Sequence, residues 1–396
     1  MRIIRHNFSA SEAAELNKQL LDLNSDNTAN LSIAFGSVAA INALAACGNA
    51  SGVAANWVAT SSCLNAFSDV SPAIENQLST LQFFDPDGAY GLASRHCSTD
   101  TIVQESKMAL LEALQKANRP GELPSLIWCS PSPGLEEGLL TGIRELVGDN
   151  APVFGGSCAD DDVKGNWCMF DGDRLITTGF IIAVLFSSVP VSYYFSCGYE
   201  TTGYSATVTA ACGRKLISLA DQPAASVYNN WRNLTGKTTL PSGTVLAAST
   251  FSPLGRLMPQ NEMNMVLLSH PAIINDDGSI DLFSEVNVGE QVTFMQGDAE
   301  LLIERAAGVS DIALRQLANL YDSEPHAAIM IFCAGCMLAI QNDITKVQQG
   351  VKQTLGEVPF IGGYTFGEQG RFADTINRHG NLMISAVIFG GINEPG

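Results

Sequence analysis

The chain has 396 residues, of which 46% are hydrophobic and 15% charged, and this composition excludes a disordered chain. Its 21 basic and 40 acidic residues give a net charge of −19 at pH 7, which argues against binding to nucleic acid or to an anionic membrane surface. The length predicts two domains of roughly 200 residues each.

No secretory pattern opens the sequence, and no apolar run reaches the roughly 20 residues that span a bilayer. We therefore expect a cytoplasmic protein without membrane insertion. The 10 cysteines are scattered, many of them in apolar or small-residue runs, so we interpret them as free thiols used as small hydrophobic residues.

Short β-rich runs and helical patterns predict an α+β fold with two layered sheet-plus-helix halves and mostly antiparallel or mixed sheets. Helices are predicted over 9–23, about 100–118, about 134–147, 298–320 and 340–355. Strands are predicted over 30–37, 125–131, 177–187, 191–199, 206–211, 263–270, 291–297, 327–335 and 382–390. Gly or Pro between neighbouring strands favours antiparallel hairpins.

A polar stretch with Gly and Pro, residues 221–244, follows a run of strands and is the best candidate for a domain boundary. It predicts one domain over 1–222 and a second over 223–396. No short-period repeat or low-complexity tract interrupts this division.

The sequence VFGGSCADDD, residues 153–162, combines small residues with a run of aspartates. Gly155, Gly156 and Ser157 permit close approach to the backbone, and Asp160 and Asp161 favour a cation or an ammonium group as the ligand. No GKS or GKT follows, which excludes a P-loop. The alternative is a capped turn.

Two further patterns offer candidate ligands. Cys333 and Cys336 have the spacing of a redox or metal pair at the end of an apolar strand, but no second CxxC accompanies them and a buried structural pair is the alternative. The five histidines form no HxxxH or HExxH pattern. Of these, His379 is kept as a candidate metal or substrate ligand.

The segment VPFIGGYTFGEQGRF, residues 358–372, is rich in glycine and aromatic residues. Gly363 permits a sharp turn, while Tyr364 and Phe366 can form flat apolar walls around a ligand. Glu368 can accept hydrogen bonds from a ligand ammonium or from backbone N–H groups that close the loop. A tight turn with a satisfied carboxylate is the alternative.

These segments, in order and spacing, resemble the FIST family. APVFGGSCADDD and CMFDGDRLITTGFIIAVLF are similar to the end of the FIST N-terminal domain, and FSPLGR, VNVGEQVTFMQGD, IMIFCAGC and VPFIGGYTFGEQG are similar to motifs of the FIST C-terminal domain. RHGNLMISAVIF resembles the terminal strand of that domain. The resemblance covers most of the chain and is strong from about residue 150 onward.

The resemblance implies an intracellular sensory protein that binds a small ligand, such as an amino acid, between its two domains and signals through a partner protein. A stand-alone bacterial branch of the family implies an alternative, a haem-based nitric oxide sensor that regulates a partner histidine kinase. In that alternative His379, or a cysteine thiolate, ligates the haem iron. Nucleophile motifs are missing, so we expect no enzyme; a thiol redox enzyme using Cys333 and Cys336 is the least favoured alternative.

Overall fold

The computed structural model describes residues 1–10, 12–22, 28–47, 50–72, 76–258 and 265–391. Within these ranges it confirms the predicted α+β class, with mixed and antiparallel sheets. Residues 11 and 23 of the helix predicted over 9–23, and residues 263 and 264 of the strand predicted over 263–270, lie outside them.

The first part of the chain alternates strands with five helices among the described residues. The helices are α1 (Ala13–Asp22), α2 (Val38–Ala46), α3 (Ala50–Val53), α4 (Ile102–Lys116) and α5 (Glu136–Val147). The strands are β1 (Arg2–Ser9), β2 (Leu31–Gly36), β3 (Trp57–Ser61), β4 (Ala66–Ser68), β5 (Gln77–Phe84), β6 (Ala89–His96), β7 (Leu126–Pro131), β8 (Val153–Gly156), β9 (Met169–Phe170), β10 (Leu175–Ile176), β11 (Gly179–Phe186), β12 (Val191–Cys197), β13 (Glu200–Cys212), β14 (Lys215–Leu219) and β15 (Gln222–Pro223).

The second part contains two long helices and several short ones. The helices are α6 (Ala224–Leu234), α7 (Leu246–Ser249), α8 (Ala299–Tyr321), α9 (Ala334–Ala339) and α10 (Ile344–Leu355), with a 3₁₀ turn at Gln341–Asp343. The strands are β16 (Gly243–Thr244), β17 (Leu254–Leu257), β18 (Val266–Ser269), β19 (Pro271–Ile274), β20 (Ile280–Leu282), β21 (Gln291–Gln296), β22 (Pro325–Cys333), β23 (Phe360–Thr365), β24 (Glu368–Arg371), β25 (Asn377–Gly380) and β26 (Met383–Gly390).

Helix ends follow the local chemistry of the sequence. The predicted cap at Asp298 is confirmed, because its side chain accepts a hydrogen bond from the backbone N–H of Leu301 at 2.9 Å. Gly356 closes α10 with a φ of 64°, which favours glycine, as its position in the sequence predicts. Ser37 caps α2 in the same way as Asp298, but the sequence analysis did not identify it.

The described strands form four sheets. In order across each sheet they are β1-β5-β2-β3-β9-β10, then β25-β24-β8-β7-β11-β6, then β12-β26-β22-β23-β4, and last β16-β19-β20-β14-β13-β21-β17-β18, with β15 beside β14. Helices α4 and α5 contact the strands of the second sheet, and α8 contacts β12 and β26 of the third. Parallel pairs occur at β2–β3, β7–β8 and β22–β23, and the remaining pairs are antiparallel.

Two of the sheets contain strands from distant parts of the chain. The second sheet joins β24 and β25 to β8, with Glu368 opposite Gly156 and Gln369 opposite Gly155. The third joins β4 to β23, with Phe67 opposite Gly362. The division predicted after residue 222 stays a prediction, and strands from both sides of it pair with each other.

The strands predicted at 177–187 and 191–199 do not form a hairpin with each other. Strand β11 pairs with β6 and β7, whereas β12 pairs with β26 in another sheet. Pro190 lies between the two strands, and the chain passes there from the second sheet to the third. A proline between two strands therefore marks a change of sheet here rather than a turn within one.

Glycines in β23 allow aromatic rings to lie directly on the backbone. A Cβ atom added at Gly362 would lie 2.2 Å from the ring of Phe67, and one added at Gly363 would lie 2.5 Å from the ring of Phe35. Phe67 in turn stacks on Tyr364, with ring centroids 5.0 Å apart. These glycines therefore serve the packing of the core between β23 and its neighbours.

Glu368 is fully buried and links three segments of chain. It accepts hydrogen bonds from the Thr365 hydroxyl at 2.8 Å and from the backbone N–H of Met383 at 3.1 Å, while its own strand pairs with β8. Burial raises the pKa of the Glu368 carboxyl well above its usual range. The side chain therefore holds β24 against β26 through the hydrogen bond from Met383.

All 10 cysteines are free, as expected from their scattered positions. No helix among the described residues combines the length and the apolar composition needed to cross a membrane.

The packing of Phe67 on Gly362 predicts that Gly362→Ala destabilises the protein by about 1–3 kcal/mol, because the added methyl group overpacks the core. Gly308→Ala in α8 is the matched control, since no atom lies within 4 Å of its added Cβ, and it should stabilise by about 0.5–1 kcal/mol. Urea denaturation measures both free energies of unfolding. Equal stability of wild type and Gly362→Ala would contradict the close packing.

The buried Glu368 predicts a dependence of stability on pH. In the unfolded chain its carboxyl ionises near pH 4.3, whereas its raised folded-state pKa keeps the proton bound to higher pH. The folded state therefore binds more protons than the unfolded state above about pH 4.3, and stability falls as the pH rises toward the folded-state pKa.

Glu368→Gln retains the shape of the protonated acid and has no proton to lose. Relative to this variant, the free energy of unfolding of the wild type should decrease as the pH rises above about 4.3. Urea denaturation at several pH values, with both proteins in the same buffers, measures the difference. An increase of this free energy with pH would contradict the prediction, because it would show that the fold stabilises the ionised form of Glu368.

Candidate functional site

A mainly apolar cavity of about 170 Å³ lies beside α9 and the end of β22. Its walls come from α7, α9, the chain between β18 and β19, the segment between β23 and β24, and the turn after β8. The lining residues are Val163, Leu246, Ala247, Thr250, His270, Phe283, Cys333, Gly335, Leu338, Ala339, Phe366 and Asn381. No side chain in this set carries a permanent charge.

Asn381 lines the cavity and carries a hydrogen-bond donor that no described residue accepts. It lies between β25 and β26, where its backbone N–H donates to the carbonyl of Leu268 and its Oδ1 accepts from the backbone N–H of His270 at 3.3 Å. The residue is 2% exposed, and its Nδ2 has no partner among the described residues. A buried polar group without a partner is costly, so this amide indicates a missing acceptor.

His270 is the second polar group in the wall, and it is neutral. Its Nε2 lies 3.0 Å from the carbonyl oxygen of Leu246, which can only accept, so Nε2 carries the proton. Burial lowers the pKa of His270 to about 4. The ring therefore adds no charge to the cavity near neutral pH.

Cys333 places a thiol in the cavity wall, at the junction of β22 and α9. Burial, and then its neighbour Cys336, raise the pKa of the Cys333 thiol well above its usual range. Cys336 lies 3.6 Å from the hydroxyl of Tyr199 and is also buried. This environment is the opposite of the one that activates a thiolate nucleophile.

Of the residues predicted to bind a ligand, two line this cavity: Cys333 and Phe366. Gly155 and Gly156 lie in β8, where added Cβ atoms would meet the carbonyl of Cys129 at 1.8 Å and Thr365 at 2.4 Å. Gly363 and Tyr364 lie in β23, and the Tyr364 hydroxyl donates to the carbonyl of Pro72. None of these last four residues is among those that line it.

The predicted aspartates hold the turn that follows β8. Asp160 accepts from the backbone N–H groups of Lys164 at 3.1 Å and Asn166 at 2.7 Å, and Asp161 accepts from that of Leu64 at 2.6 Å. This turn carries Val163, which borders the cavity. Asp160 and Asp161 thus position the wall rather than line it.

Ser157 belongs to a second cluster, which contains Glu136, Glu137, Arg214 and His379. Its hydroxyl donates to Glu136 at 2.6 Å, and Arg214 donates to both Glu136 and Glu137. Although burial opposes ionisation, His379 and Arg214 lower the pKa of Glu137 to about 2. The ligand atoms of Glu136, Glu137 and His379 lie within 4.8 Å of one another, and Arg214 already supplies the positive charge that a metal ion would bring.

His379 lies in β25, and protein atoms face both of its ring nitrogens. Nδ1 is 3.5 Å from the Gln369 amide and Nε2 is 3.4 Å from the carbonyl of Phe283. The side chain is 1% exposed, with a Glu137 oxygen 3.9 Å from Nε2. A haem ligand needs a free nitrogen that faces an apolar pocket, so these surroundings do not fit His379 as the ligand of a haem iron.

Sequence reasoning missed Asn381, Thr250 and His270 as site residues. Asn381 follows the HG pair in RHGNLMISAVIF, a segment that resembles the family's terminal strand, and that position was the available signal. His270 precedes Pro271, and nothing local marks its ring as part of a cavity wall. The three residues meet only because β25, β18 and α7 come together in the fold.

Comparison with solved structures finds distant likenesses. A cyanuric acid hydrolase from A. caulinodans has a TM-score of 0.31 and 8% identity, covering 50% of this chain and 72% of that one. A second cyanuric acid hydrolase structure has a TM-score of 0.37 and 8% identity, covering 98% and 99%. PurLQS from Thermotoga maritima has a TM-score of 0.23 and 10% identity, covering 77% and 73%. At these TM-scores the likenesses carry no argument.

No curated protein sequence matches the chain. Family models do: that of the FIST N domain matches residues 28–222, and that of the FIST C domain matches residues 224–371. The two matches follow one another and together cover most of the chain, which therefore belongs to the family of proteins that join a FIST N domain to a FIST C domain.

Proposed function

We propose that this protein is a sensory module whose small ligand occupies the apolar cavity beside α9, and that it passes the signal to a partner protein. FIST domains are generally taken as small-ligand sensing domains. The observation that carries the assignment to this cavity is the unpaired Asn381 amide within apolar walls. Apolar walls with few placed polar groups are typical of small-molecule sites.

The chemistry of the walls selects a small, neutral ligand with a hydrogen-bond acceptor. The acceptor, such as a carbonyl oxygen, pairs with the Asn381 amide, and the apolar part contacts Phe366, Phe283 and Leu338. A charged ligand would lose its hydration without gaining a countercharge here. A compact ligand is favoured, because a volume of about 170 Å³ is below the roughly 300 Å³ at which drug-sized pockets begin.

The position of the cavity suggests how binding would be transmitted. Val163 belongs to the FIST N match, whereas α7, Phe283 and α9 belong to the FIST C match. A ligand that contacts both parts stabilises the arrangement in which they enclose it. A partner such as a histidine kinase would recognise that arrangement. The net charge of −19 suits a basic docking surface on the partner.

Filling the cavity should abolish ligand binding. In Gly335→Leu the new side chain starts 3.6 Å from the Cys333 sulfur and 3.5 Å from the His270 ring, so it occupies the ligand volume. A thermal-shift screen of small neutral amides and ketones on wild type supplies the ligand for this test. The shift should vanish in Gly335→Leu and persist in Gly308→Leu, whose added side chain starts in open space. An unchanged shift in Gly335→Leu would place the ligand elsewhere.

Removing the donor should weaken the same ligand. Asn381→Asp keeps the oxygen that accepts from the backbone of His270 but replaces the free N–H₂ with an acceptor. We expect affinity to fall by at least about tenfold, because the ligand oxygen then faces an oxygen. Isothermal titration measures it, with Asn233→Asp, an exposed residue outside the cavity lining, as the control. Equal affinity for wild type and Asn381→Asp would exclude the amide as the recognition group.

A further inference from the structure

A second cavity, of about 240 Å³, lies where α5 meets β17 and β25, and its chemistry differs from that of the apolar cavity. Charged residues dominate its walls: Arg144, Arg256 and Arg378 with Glu137, Glu285 and Glu290. Helix α5 belongs to the FIST N match and Arg256 to the FIST C match. A ligand held here would bridge the two domains.

Arg256 is the unusual residue of this cavity. It is 8% exposed and lies in β17, where Leu267 of β18 and Val292 of β21 flank it in register and fix its backbone. Its Nε has no hydrogen-bond partner among the described residues. Among the described residues its ion-pair partner is Glu290. The distance from Arg256 Nη1 to Glu290 Oε2 is 3.7 Å, which is too long for a hydrogen bond.

The other two arginines of the wall are paired. Arg144 Nε lies 3.0 Å from Asp149, and its Nη2 donates to the carbonyl of Asn377 at 2.9 Å. Arg378 contacts both oxygens of Asp374, at 2.8 and 2.6 Å. By contrast, Arg256 is buried with no partner for Nε among the described residues, and its contact with Glu290 is too long for a hydrogen bond, an arrangement that is costly unless another acceptor completes it.

We infer that the Arg256 cavity binds the carboxylate group of a small molecule, with the guanidinium of Arg256 as its principal contact. A guanidinium cannot lose its proton in a protein, so the incomplete hydrogen bonding of Arg256 is relieved only by a further acceptor. Its planar fork matches the two oxygens of a carboxylate. Glu137, Glu285 and Glu290 line the same space and repel added negative charge, which favours a singly charged carboxylate over a phosphate.

This inference is independent of the proposed ligand site. The apolar cavity and the Arg256 cavity have no lining residue in common among the described residues. Gly335→Leu should therefore leave carboxylate binding intact, and loss of Arg256 should leave the neutral ligand of the apolar cavity in place. Failure of one proposal is thus distinguishable from failure of the other.

The test measures the thermal midpoint of the full chain as sodium propionate replaces sodium chloride at constant ionic strength. Wild type should show a saturable rise on the order of 2 °C or more, since a ligand that binds only the folded state stabilises it. Arg256→Gln should lose that rise. Arg315→Gln is the matched control, because it removes one positive charge from a side chain that is 73% exposed and remote from the cavity, and it should keep the rise.

The same experiment contains the results that would overturn the inference. A rise that persists in Arg256→Gln, or no saturable rise in wild type, would reject the site. An equal rise with inorganic phosphate would reject carboxylate as the chemical class. If Arg256 served only the fold, Arg256→Gln would be much less stable than wild type without propionate. We expect instead a midpoint equal to or above that of wild type, because the variant removes an incompletely paired buried charge.

Arg256→Lys provides a second variant if Arg256→Gln does not fold. Lysine keeps the charge but cannot bind a carboxylate with two parallel hydrogen bonds. The propionate concentration at half-saturation should rise by about tenfold, which corresponds to about 1.4 kcal/mol. Half-saturation at the wild-type concentration would reject the guanidinium as the principal contact.

Discussion

The pairing of Glu368 and Gln369 with Gly156 and Gly155 is the contact on which the arrangement of the rest depends. It joins a strand near the end of the sequence to a sheet built largely from the first half. Because Gly155 and Gly156 have no side chains, the carbonyl of Cys129 and the side chain of Thr365 pack directly on this part of β8. The hydrogen bond from Met383 to Glu368 holds β24 from the other side. The turn after β8, the start of α9 and the end of β25 are thereby fixed relative to one another.

Strand β25 and the turn that follows it separate two sites of opposite chemistry. Arg378 and His379 face the charged cavity, while Asn381 faces the apolar one. The register with β24 places Gln369 opposite His379 and Gly370 opposite Arg378. A slip of one residue would reverse the faces of the Arg378 and His379 side chains, so this register must be kept for the wall of the charged cavity. His379 also contacts the carbonyl of Phe283, whose ring lines the apolar cavity. The two cavities thus share supporting structure without sharing lining residues.

The sequence predicted those features that local chemistry determines. The helix over 298–320 shows it well: Asp298 caps it, and Leu302, Ala306, Val309, Ala313 and Leu317 form its buried face. Leu320 continues the same spacing but is 71% exposed, because the helix ends at Tyr321 beyond the surface it packs on. The junction of strand and helix at Cys333 was also predicted correctly.

Features that depend on distant pairing were not accessible in this way. The glycines of 358–372 indicated close approach to the backbone, and the structure shows that the approaching groups at Gly362, Gly363 and Gly370 are the rings of Phe67, Phe35 and Phe195. Those rings come from three segments far from the glycines in sequence, so no local pattern identifies them. Asn381 and Arg256 are likewise recognisable only in the folded structure. There each has a buried nitrogen without a hydrogen-bond partner among the described residues.

Strands β8 and β24 pair although they are far apart in the sequence. The second sheet therefore cannot be completed until late in the synthesis of the chain. Between Gly156 and Gly380 the ribosome must add 380 − 156 = 224 residues before the second sheet can be completed. At about 5–20 residues per second this takes roughly 10–45 s. During that interval the free edge of β8 exposes unpaired backbone groups to other nascent chains, and a molecular chaperone that shields it would have a defined period in which to act.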